Sequence, residues 1–348
     1  MLNVPAHIFR AYDIRGIAGE TITEELCELV GRAYGSELRE RYQKGHPTVI
    51  LSRDARTHSP AFMSAVEKGL LSTGCTVQNI SEVPSPVNYF ANCHFGSDGS
   101  IQITASHNPG TDNGLKLQLR DAEAFSGEEL QHLRRRIEEE RFLKGEGSAE
   151  DLDAATPYLS RVTTLVPDFQ YVNILKIEKS GGKGMQKKPP VKIVVDFGNG
   201  VSGPVYGEAL RRAGVDAIPL FANPDGTFPN HIADPSKHET LKTLQETVKR
   251  EADPSLHGSA AACCGIAFDG DGDRVGFVDE EGKVISPDLL LLLLAEDHLS
   301  RHPGAPIIYT VSMSGILETE IKRMGGKPVM CIVGHSFVEE AMRKHGSA

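Results

Sequence analysis

A short apolar segment, a polar loop, a helix, a glycine and a second apolar segment follow one another three times along the chain. Given as strand, helix, glycine and strand, the copies are 48–52, 60–73, Gly74 and 76–80; 191–196, 204–213, Gly214 and 215–220; and 307–311, 315–324, Gly325 and 327–333. Each glycine stands where a helix often ends in the left-handed conformation. Alternating strands and helices are typical of layered α/β structure. The wide separation of the copies predicts three related domains in tandem, although such units are common enough to arise by convergence.

Two polar, glycine-containing segments interrupt this pattern. Segment 144–153 is rich in Gly, Glu, Asp and Ser and predicts a linker at a domain boundary. Segment 179–190 ends in two prolines and predicts an exposed loop inside the second domain. The predicted domains are therefore 1–150, 151–283 and 284–348.

The longest apolar run, 289–295, is far shorter than the roughly 20 residues of a membrane helix. Ser286, Pro287 and Asp288 precede it and have the chemistry of a helix N-terminus: a capping hydroxyl, a proline and an acidic first turn. We therefore predict a buried helix here and no membrane partner. Residues 1–10 lack the apolar core of a signal peptide, which again favours a cytoplasmic protein.

The composition and net charge of the chain indicate which kinds of molecule it can bind. The 348 residues are 39% hydrophobic and 24% charged, as in globular proteins of two or three domains. A net charge of −10 argues against nucleic acid, although a cleft can still concentrate positive potential for a small anion. The six cysteines include no C-x-x-C pair, which indicates reduced thiols in the cytoplasm.

The most informative local motif places three carboxylates close together. Asp269, Asp271 and Asp273 alternate with glycines directly after an apolar strand-like run at 264–268. Oxygen ligands of this kind suit Mg²⁺ or Ca²⁺, whereas a solvated turn would leave the three charges repelling one another. Glu280 lies at the twelfth position, as in an EF-hand. However, Arg274 occupies the position that needs glycine, and a strand precedes the loop instead of a helix.

A reactive serine is the second candidate. Ser106 and His107 lie in the segment 104–109, between a strand-like stretch and a glycine-rich turn. The G-x-S-x-G elbow of an α/β-hydrolase does not surround Ser106. The Ser-His pair is weak by itself, because adjacent side chains of an extended chain point apart. Segments 10–16 and 114–117, taken alone, predict only a surface turn and a solvent-facing lysine on a strand.

Taken together and in this order, the segments YDIRG, TASHNP, GLKL and DGDGDR resemble those of the α-D-phosphohexomutases, in particular the phosphomannomutase/phosphoglucomutase group. The resemblance spans nearly the whole chain and includes 225–229 and 334–336. It implies an α/β fold of three tandem related domains, with mixed sheets packed between helices. Members also carry a sugar-binding loop in domain III and a fourth domain, which find no match here, so the third domain is expected to be incomplete.

The resemblance also implies a role for each candidate residue. Ser106 matches the phosphoserine, and its phosphate with Asp269, Asp271 and Asp273 would bind Mg²⁺. The expected catalytic residues besides Ser106 are His107, Lys116 and Arg274, with Lys116 or His107 as the acid or base; Tyr12, Arg15 and His335 would bind substrate. The implied reaction interconverts hexose 1-phosphate and hexose 6-phosphate, of mannose or glucose, with hexose 1,6-bisphosphate as intermediate and activator. The alternative is a truncated, catalytically impaired fragment that binds Mg²⁺ and a phosphosugar without efficient turnover.

Overall fold

The computed structural model of the protein describes residues 4–165, 191–258 and 261–347. Strands in these ranges form three sheets, of six, five and two strands in chain order, and each sheet with its helices is called a unit below. The predicted loop at 179–190 lies outside the described residues. Within the described ranges, no helix combines the length and the apolar character needed to cross a membrane.

The first unit is a mixed six-stranded sheet with helices on both faces. Its elements are β1 (Ile14–Ile17), α1 (Glu24–Tyr42), β2 (Thr48–Arg53), α2 (Ser59–Leu71), β3 (Thr76–Glu82), α3 (Ser85–Phe95), β4 (Gly99–Ile103), β5 (Asp112–Leu119), α4 (Glu128–Glu138), β6 (Ser148–Asp151) and α5 (Ala155–Thr164). The strand order is β1-β5-β4-β2-β3-β6, and β5 runs antiparallel to both of its neighbours. Val49 and Leu51 of β2 enter one hydrophobic core and Ile50 enters the other, because side chains alternate along a strand.

The predicted linker at 144–153 is wrong. Ser148–Asp151 forms β6, which pairs in parallel with β3 at the edge of the sheet. All four of its side chains are exposed, so the sequence shows no apolar alternation there. Gly147 is needed for close approach rather than flexibility, since a β-carbon on it would lie 2.2 Å from the Cys75 carbonyl oxygen. The polar, glycine-containing segment is therefore an edge strand that pairs with β3, and not a linker.

The second unit is a mixed five-stranded sheet. It contains β7 (Lys192–Asp196), α6 (Ser202–Arg212), β8 (Asp216–Leu220), α7 (Lys242–Glu251), α8 (Pro254–His257), β9 (Cys264–Phe268), β10 (Val275–Asp279) and β11 (Val284–Ile285), in the order β11-β10-β9-β7-β8. β7 is parallel to β8 and β9, and β10 is antiparallel to β9 and β11. Leu159 of α5 and Val205 of α6 belong to the same buried cluster, so the first two units share a core.

The third unit is short. It contains α9 (Pro287–Arg301), β12 (Pro306–Thr310), α10 (Ile316–Arg323), β13 (Lys327–Cys331) and α11 (His335–His345), and β12 pairs in parallel with β13. The predicted start of α9 is confirmed, because Ser286 Oγ accepts a hydrogen bond from the Leu289 amide.

The prediction that the apolar run of α9 is buried is wrong in part. Ala295 and Leu299 pack into the core of the third unit. The side chains of Leu289, Leu293 and Leu294 are 50%, 54% and 69% exposed. The leucines of 289–295 lie on all sides of α9, whereas only one side of the helix packs against the core of the third unit. The spacing of the leucines therefore did not show which of them would be buried.

The three predicted strand–helix–strand units are confirmed. β2 with β3, β7 with β8 and β12 with β13 are parallel pairs joined by α2, α6 and α10. Gly74, Gly214 and Gly325 have φ values of +87°, +74° and +81°, as expected of helix ends in the left-handed region. The fold is thus three tandem related α/β units, with mixed sheets in the first two.

Candidate active site

The candidate site lies where the first two units meet. Strands β2, β3 and β4 are parallel, and their carboxyl ends lead into loops at the same edge of the first sheet. The loop after β9 of the second unit contacts these loops from the other side. Open α/β sheets commonly bind ligands at the carboxyl ends of their strands.

Ser106 has an unusual backbone for a residue with a β-carbon. It lies between β4 and β5, is buried, and has φ of +51°, a conformation that costs roughly 1–2 kcal/mol. Its amide donates to Thr104 Oγ1 (2.8 Å), and its Oγ donates to Asp269 Oδ2 (2.6 Å). His107 Nδ1 is 3.2 Å from the same Oγ. The side chains of Ser106 and His107 therefore meet. Treating the Ser-His pair as weak assumes an extended chain, and the backbone at Ser106 is not extended.

The three aspartates converge in a tight turn between β9 and β10. One carboxylate oxygen from each of Asp269, Asp271 and Asp273 lies within 4.8 Å of the others. Gly272, with φ of +72°, allows the turn. Asp271 Oδ1 is buried and has no hydrogen-bond partner among the described residues. A strand follows the loop, unlike an EF-hand, and the donor set fits a hard divalent cation.

The charges of the site are unbalanced. Burial, and then the neighbouring Asp271 and Asp273, raise the pKa of Asp269 well above its usual range. Burial also acts against ionisation of Asp271, but the Lys116 ammonium outweighs it and holds the pKa of Asp271 below its usual range. Three carboxylates face the Lys116 ammonium and, 3.9 Å from Asp273 Oδ1, the Arg274 guanidinium, so negative charge is still in excess and a divalent cation would relieve the repulsion.

Lys116 of β5 lies inside this cluster rather than toward solvent. Its Nζ donates to Asp271 Oδ2 (2.6 Å) and Asp273 Oδ2 (2.7 Å). Burial by itself lowers the pKa of Lys116, but Asp271 and Asp273 raise it well above its ordinary value. Lys116 is therefore a charged hydrogen-bond donor in this arrangement, and its expected role as the acid or base stays a prediction.

Arg274 and His107 flank the serine. The Arg274 amide donates to Asp269 Oδ1 (3.0 Å), and its Nη1 lies 3.4 Å from His107 Nε2. Burial and then the Arg274 charge lower the pKa of His107, which favours its neutral imidazole. A neutral ring beside Ser106 Oγ can accept a proton.

The remaining candidates surround the same space. Arg15 of β1 is buried, forms an ion pair with Asp13 (2.5 Å) and donates from Nη1 to Asn108 Oδ1 (3.0 Å). Tyr12 meets His335, at the start of α11, edge to face with ring centroids 5.0 Å apart. Burial and then the Lys116 charge lower the pKa of His335, which belongs to the third unit. All the candidate residues are brought together, and their individual roles stay predictions.

Sequence reasoning missed two residues that touch the site. Ser85 Oγ donates to Asp271 Oδ2 (2.7 Å), and its amide donates to the Asp271 carbonyl (2.9 Å). Arg56 is fully buried beneath the Ser106 loop. Both follow the carboxyl ends of predicted strands, β3 and β2, and that position was the available signal.

Comparison with known families agrees with this geometry. The phosphoglucomutase/phosphomannomutase α/β/α domains I, II and III match residues 6–144, 170–282 and 286–348. The chain is 40% identical over 344 residues to a phosphomannomutase/phosphoglucomutase of Pseudomonas aeruginosa, covering 99% of this chain and 67% of that protein. It is 36% identical to a phosphoglucomutase of Neisseria meningitidis, covering 100% of this chain and 69% of that protein.

A solved structure gives the same result in three dimensions. A phosphoglucomutase/phosphomannomutase family protein from Burkholderia thailandensis superposes with a TM-score of 0.85 at 37% identity. The superposition covers 99% of this chain and 70% of the other. The chain therefore belongs to the phosphoglucomutase/phosphomannomutase family of mutase enzymes, the α-D-phosphohexomutases.

Proposed function

We propose that this protein interconverts the 1-phosphate and 6-phosphate of mannose or glucose, with Ser106 as the phosphoryl carrier and a hexose 1,6-bisphosphate as intermediate. The observation that carries the proposal is the 2.6 Å hydrogen bond from Ser106 Oγ to Asp269 at the mouth of the carboxylate cluster. A nucleophilic oxygen beside a cation site is the arrangement that phosphoryl transfer requires.

Asp269, Asp271 and Asp273 would hold Mg²⁺ together with the phosphate of Ser106. The buried Asp271 Oδ1, which has no hydrogen-bond partner in the described ranges, and the excess of carboxylates over cationic groups support this assignment. A bound Mg²⁺ supplies positive charge to the phosphoryl oxygens. Arg274 and Lys116 would add further positive charge at the same place.

The proposed transfer begins with phosphorylated Ser106. A sugar hydroxyl oxygen bonds to phosphorus and loses its proton to a base, while the bond from phosphorus to Ser106 Oγ breaks and Oγ takes up a proton. His107 is the candidate that carries the proton at Ser106, since its Nδ1 is 3.2 Å from Oγ and its lowered pKa keeps the ring neutral. Lys116, with its raised pKa, suits stabilisation of phosphoryl charge.

The second half reverses the first with the sugar turned around. The hexose 1,6-bisphosphate presents its other phosphate, and Ser106 recovers a phosphoryl group while the product hydroxyl is formed. Tyr12, Arg15 and His335 would bind the sugar phosphate, because they face this space from the first and third units.

We also propose a cytoplasmic location. All six cysteines lie in the described ranges and are free thiols, as is usual in a reducing compartment.

The test is phosphorylation and turnover by the purified protein. Intact-mass and peptide analysis after incubation with glucose 1,6-bisphosphate should show a single phosphate, on Ser106, and none in Ser106→Ala. A coupled assay should then detect conversion of glucose 1-phosphate or mannose 1-phosphate. Labelling at another residue would refute the role of Ser106. Labelling of Ser106 with no turnover of either substrate would favour the impaired, binding-only alternative.

A further inference from the structure

Arg56 is the largest side chain with no exposed surface in the described part of the chain, and the proposed chemistry does not use it. It lies just after the carboxyl end of β2. Its Nε donates to Asp54 Oδ2 (3.1 Å), so its charge is paired within its own loop. Its four remaining N–H groups point to the loop that contains Ser106.

Those four donors reach four backbone carbonyl oxygens of the segment 106–112. Nη2 donates to the carbonyls of Ser106 (2.8 Å) and Asn108 (2.7 Å). Nη1 donates to the carbonyls of Pro109 (2.5 Å) and Asp112 (2.8 Å). A guanidinium has five donors in a fixed plane, and all five are used here. A lysine ammonium, with three donors at one atom, could not span the same set.

The segment 225–229 of the second unit covers Arg56 from the other side. Phe228 lies with its ring centroid 5.2 Å from the Arg56 guanidinium carbon. A β-carbon on Gly226 would lie 2.3 Å from the Ala55 carbonyl oxygen and 2.7 Å from Arg56 Cα, so the two backbones touch. This segment was part of the sequence resemblance, and the proposed chemistry leaves it without a role.

We propose that Arg56 is the positioning residue of the Ser106 loop, and that the segment 225–229 holds Arg56 in place. Four charge-assisted hydrogen bonds to carbonyls fix the path of the loop, including the left-handed backbone at Ser106 that directs Oγ at Asp269. The consequence for phosphoryl transfer rests on the proposed function, whereas the fixing of the loop does not.

The experiment compares Arg56→Lys with Arg53→Lys. Arg53 ends the same strand, but it pairs with Glu82 (2.5 Å) and donates to the Asp54 carbonyl instead of the Ser106 loop. Amide hydrogen exchange of 104–112 is measured in both variants, together with the rate of Ser106 phosphorylation by glucose 1,6-bisphosphate. In Arg56→Lys we expect exchange in 104–112 to be at least about tenfold faster and phosphorylation about 100-fold slower, because a small displacement of a nucleophile has effects of that size. Arg53→Lys should match the unmodified protein in both.

A milder variant and a rescue separate positioning from general stability. Phe228→Leu removes the ring over the guanidinium and should accelerate exchange in 104–112 by a smaller factor, leaving β3 unchanged. Arg56→Ala should regain phosphorylation rate when guanidinium ion is added at millimolar concentration, and should not respond to urea.

The other possible results bear either on the positioning role of Arg56 or on the proposed function of Ser106. Loop exchange in Arg56→Lys equal to that in Arg53→Lys would overturn the inference. Faster exchange throughout the first unit, with no preference for 104–112, would reduce Arg56 to a stabilising residue and overturn it too. A loosened loop with an unchanged phosphorylation rate would break the link to catalysis. Failure of the unmodified protein to become phosphorylated at Ser106 would contradict the proposed function, while the exchange comparison would still judge Arg56.

Discussion

At the residue scale, two donors hold the Asp271 carboxylate in place. Lys116 and Ser85 both donate to its Oδ2, and its Oδ1 is buried without a partner among the described residues. One carboxylate oxygen of Asp271 lies within 4.8 Å of an oxygen from each of Asp269 and Asp273. A carboxylate oriented so firmly, yet left with an unused oxygen, is what a preorganised cation ligand requires.

We predict that Asp271→Asn weakens Mg²⁺ binding at least about tenfold, equivalent to roughly 1.4 kcal/mol. The amide removes one of three negative charges and one of the converging oxygens. Titration calorimetry on the dephosphorylated protein measures the effect. Asp279→Asn, in the same hairpin but bonded to the amides of its own turn, is the matched control and should bind Mg²⁺ normally. Equal affinity in both variants would place the metal site elsewhere.

A second prediction concerns pH and the pair of His231 with Asp196, whose Nε2 and Oδ2 atoms are 3.0 Å apart. Burial by itself lowers the pKa of His231, but the hydrogen bond to Asp196 outweighs it and raises that pKa above 6.5. A pKa raised by folding stabilises the folded state below the unfolded pKa, and this contribution is lost as pH rises through the folded value.

His231→Gln should therefore lower the thermal unfolding midpoint more at pH 5.5 than at pH 8.5. Unfolding scans at the two pH values, for the protein with and without the substitution, give the comparison. In an Asp196→Asn background the pH-dependent part should disappear, because the carboxylate that raises the pKa is gone. A His231→Gln effect of the same size at both pH values would contradict the assignment.

The sequence predicted some of these residues and missed others for a physical reason. Ser106 and the three aspartates lie in contiguous motifs, so their chemistry is visible along the chain. Ser85 and Arg56 have meaning only through partners that are remote in sequence, 186 residues away for Ser85 and Asp271. Local patterns contain no information about such pairs until the strands are placed side by side.

At the element scale, local signals were sufficient for the repeated strand–helix–strand units and insufficient at surfaces. Gly74, Gly214 and Gly325 fixed the helix ends because the left-handed backbone is a local requirement. The edge strand β6 and the exposed leucines of α9 depend on which neighbour covers them. Which neighbour covers an element is decided by tertiary structure. Polar composition therefore gave the wrong prediction for β6, and the apolar run gave a prediction for α9 that is wrong in part.

Helix α10 allows a test with glycines at its two ends. Gly315, before the helix, has helical angles (φ −61°, ψ −14°), whereas Gly325, after it, has φ of +81°. A β-carbon at either position meets no atom within 4 Å, so backbone conformation alone should decide the effect. We expect Gly315→Ala to stabilise the third unit by about 0.4–1 kcal/mol and Gly325→Ala to destabilise it by about 1 kcal/mol.

Amide exchange of 316–323 measures this locally, without assuming that the whole protein unfolds in one step. Exchange should be slowest in Gly315→Ala, intermediate in the unmodified protein and fastest in Gly325→Ala. The reverse order, or no difference, would contradict the left-handed assignment of Gly325.

At the scale of the whole molecule, the candidate site also joins the units. Ser106, Lys116 and Ser85 of the first unit contact the aspartates of the second. Tyr12 of the first unit contacts His335 of the third. Lys116 provides the one ammonium in this junction among the described residues. Metal binding and association of the first two units should therefore be coupled through it.

We predict that Lys116→Met destabilises the protein in the absence of Mg²⁺, and that Mg²⁺ raises its unfolding midpoint more than it raises that of the unmodified protein. Removing one partner of a buried ion pair typically costs about 3–5 kcal/mol, because the carboxylates left behind are neither solvated nor paired. The same carboxylates, no longer bonded to the ammonium, offer the cation an uncontested site, and tighter binding to the folded state gives greater stabilisation. Thermal unfolding scans in chelator and in excess Mg²⁺ measure both effects.

Lys44→Met is the matched control, since Lys44 pairs with Asp98 at the same 2.6 Å distance but within the first unit, and about half of its side chain is exposed. Its cost should be small and independent of Mg²⁺. Equal Mg²⁺ shifts in Lys116→Met and the unmodified protein would show that the ammonium and the cation do not share the carboxylates.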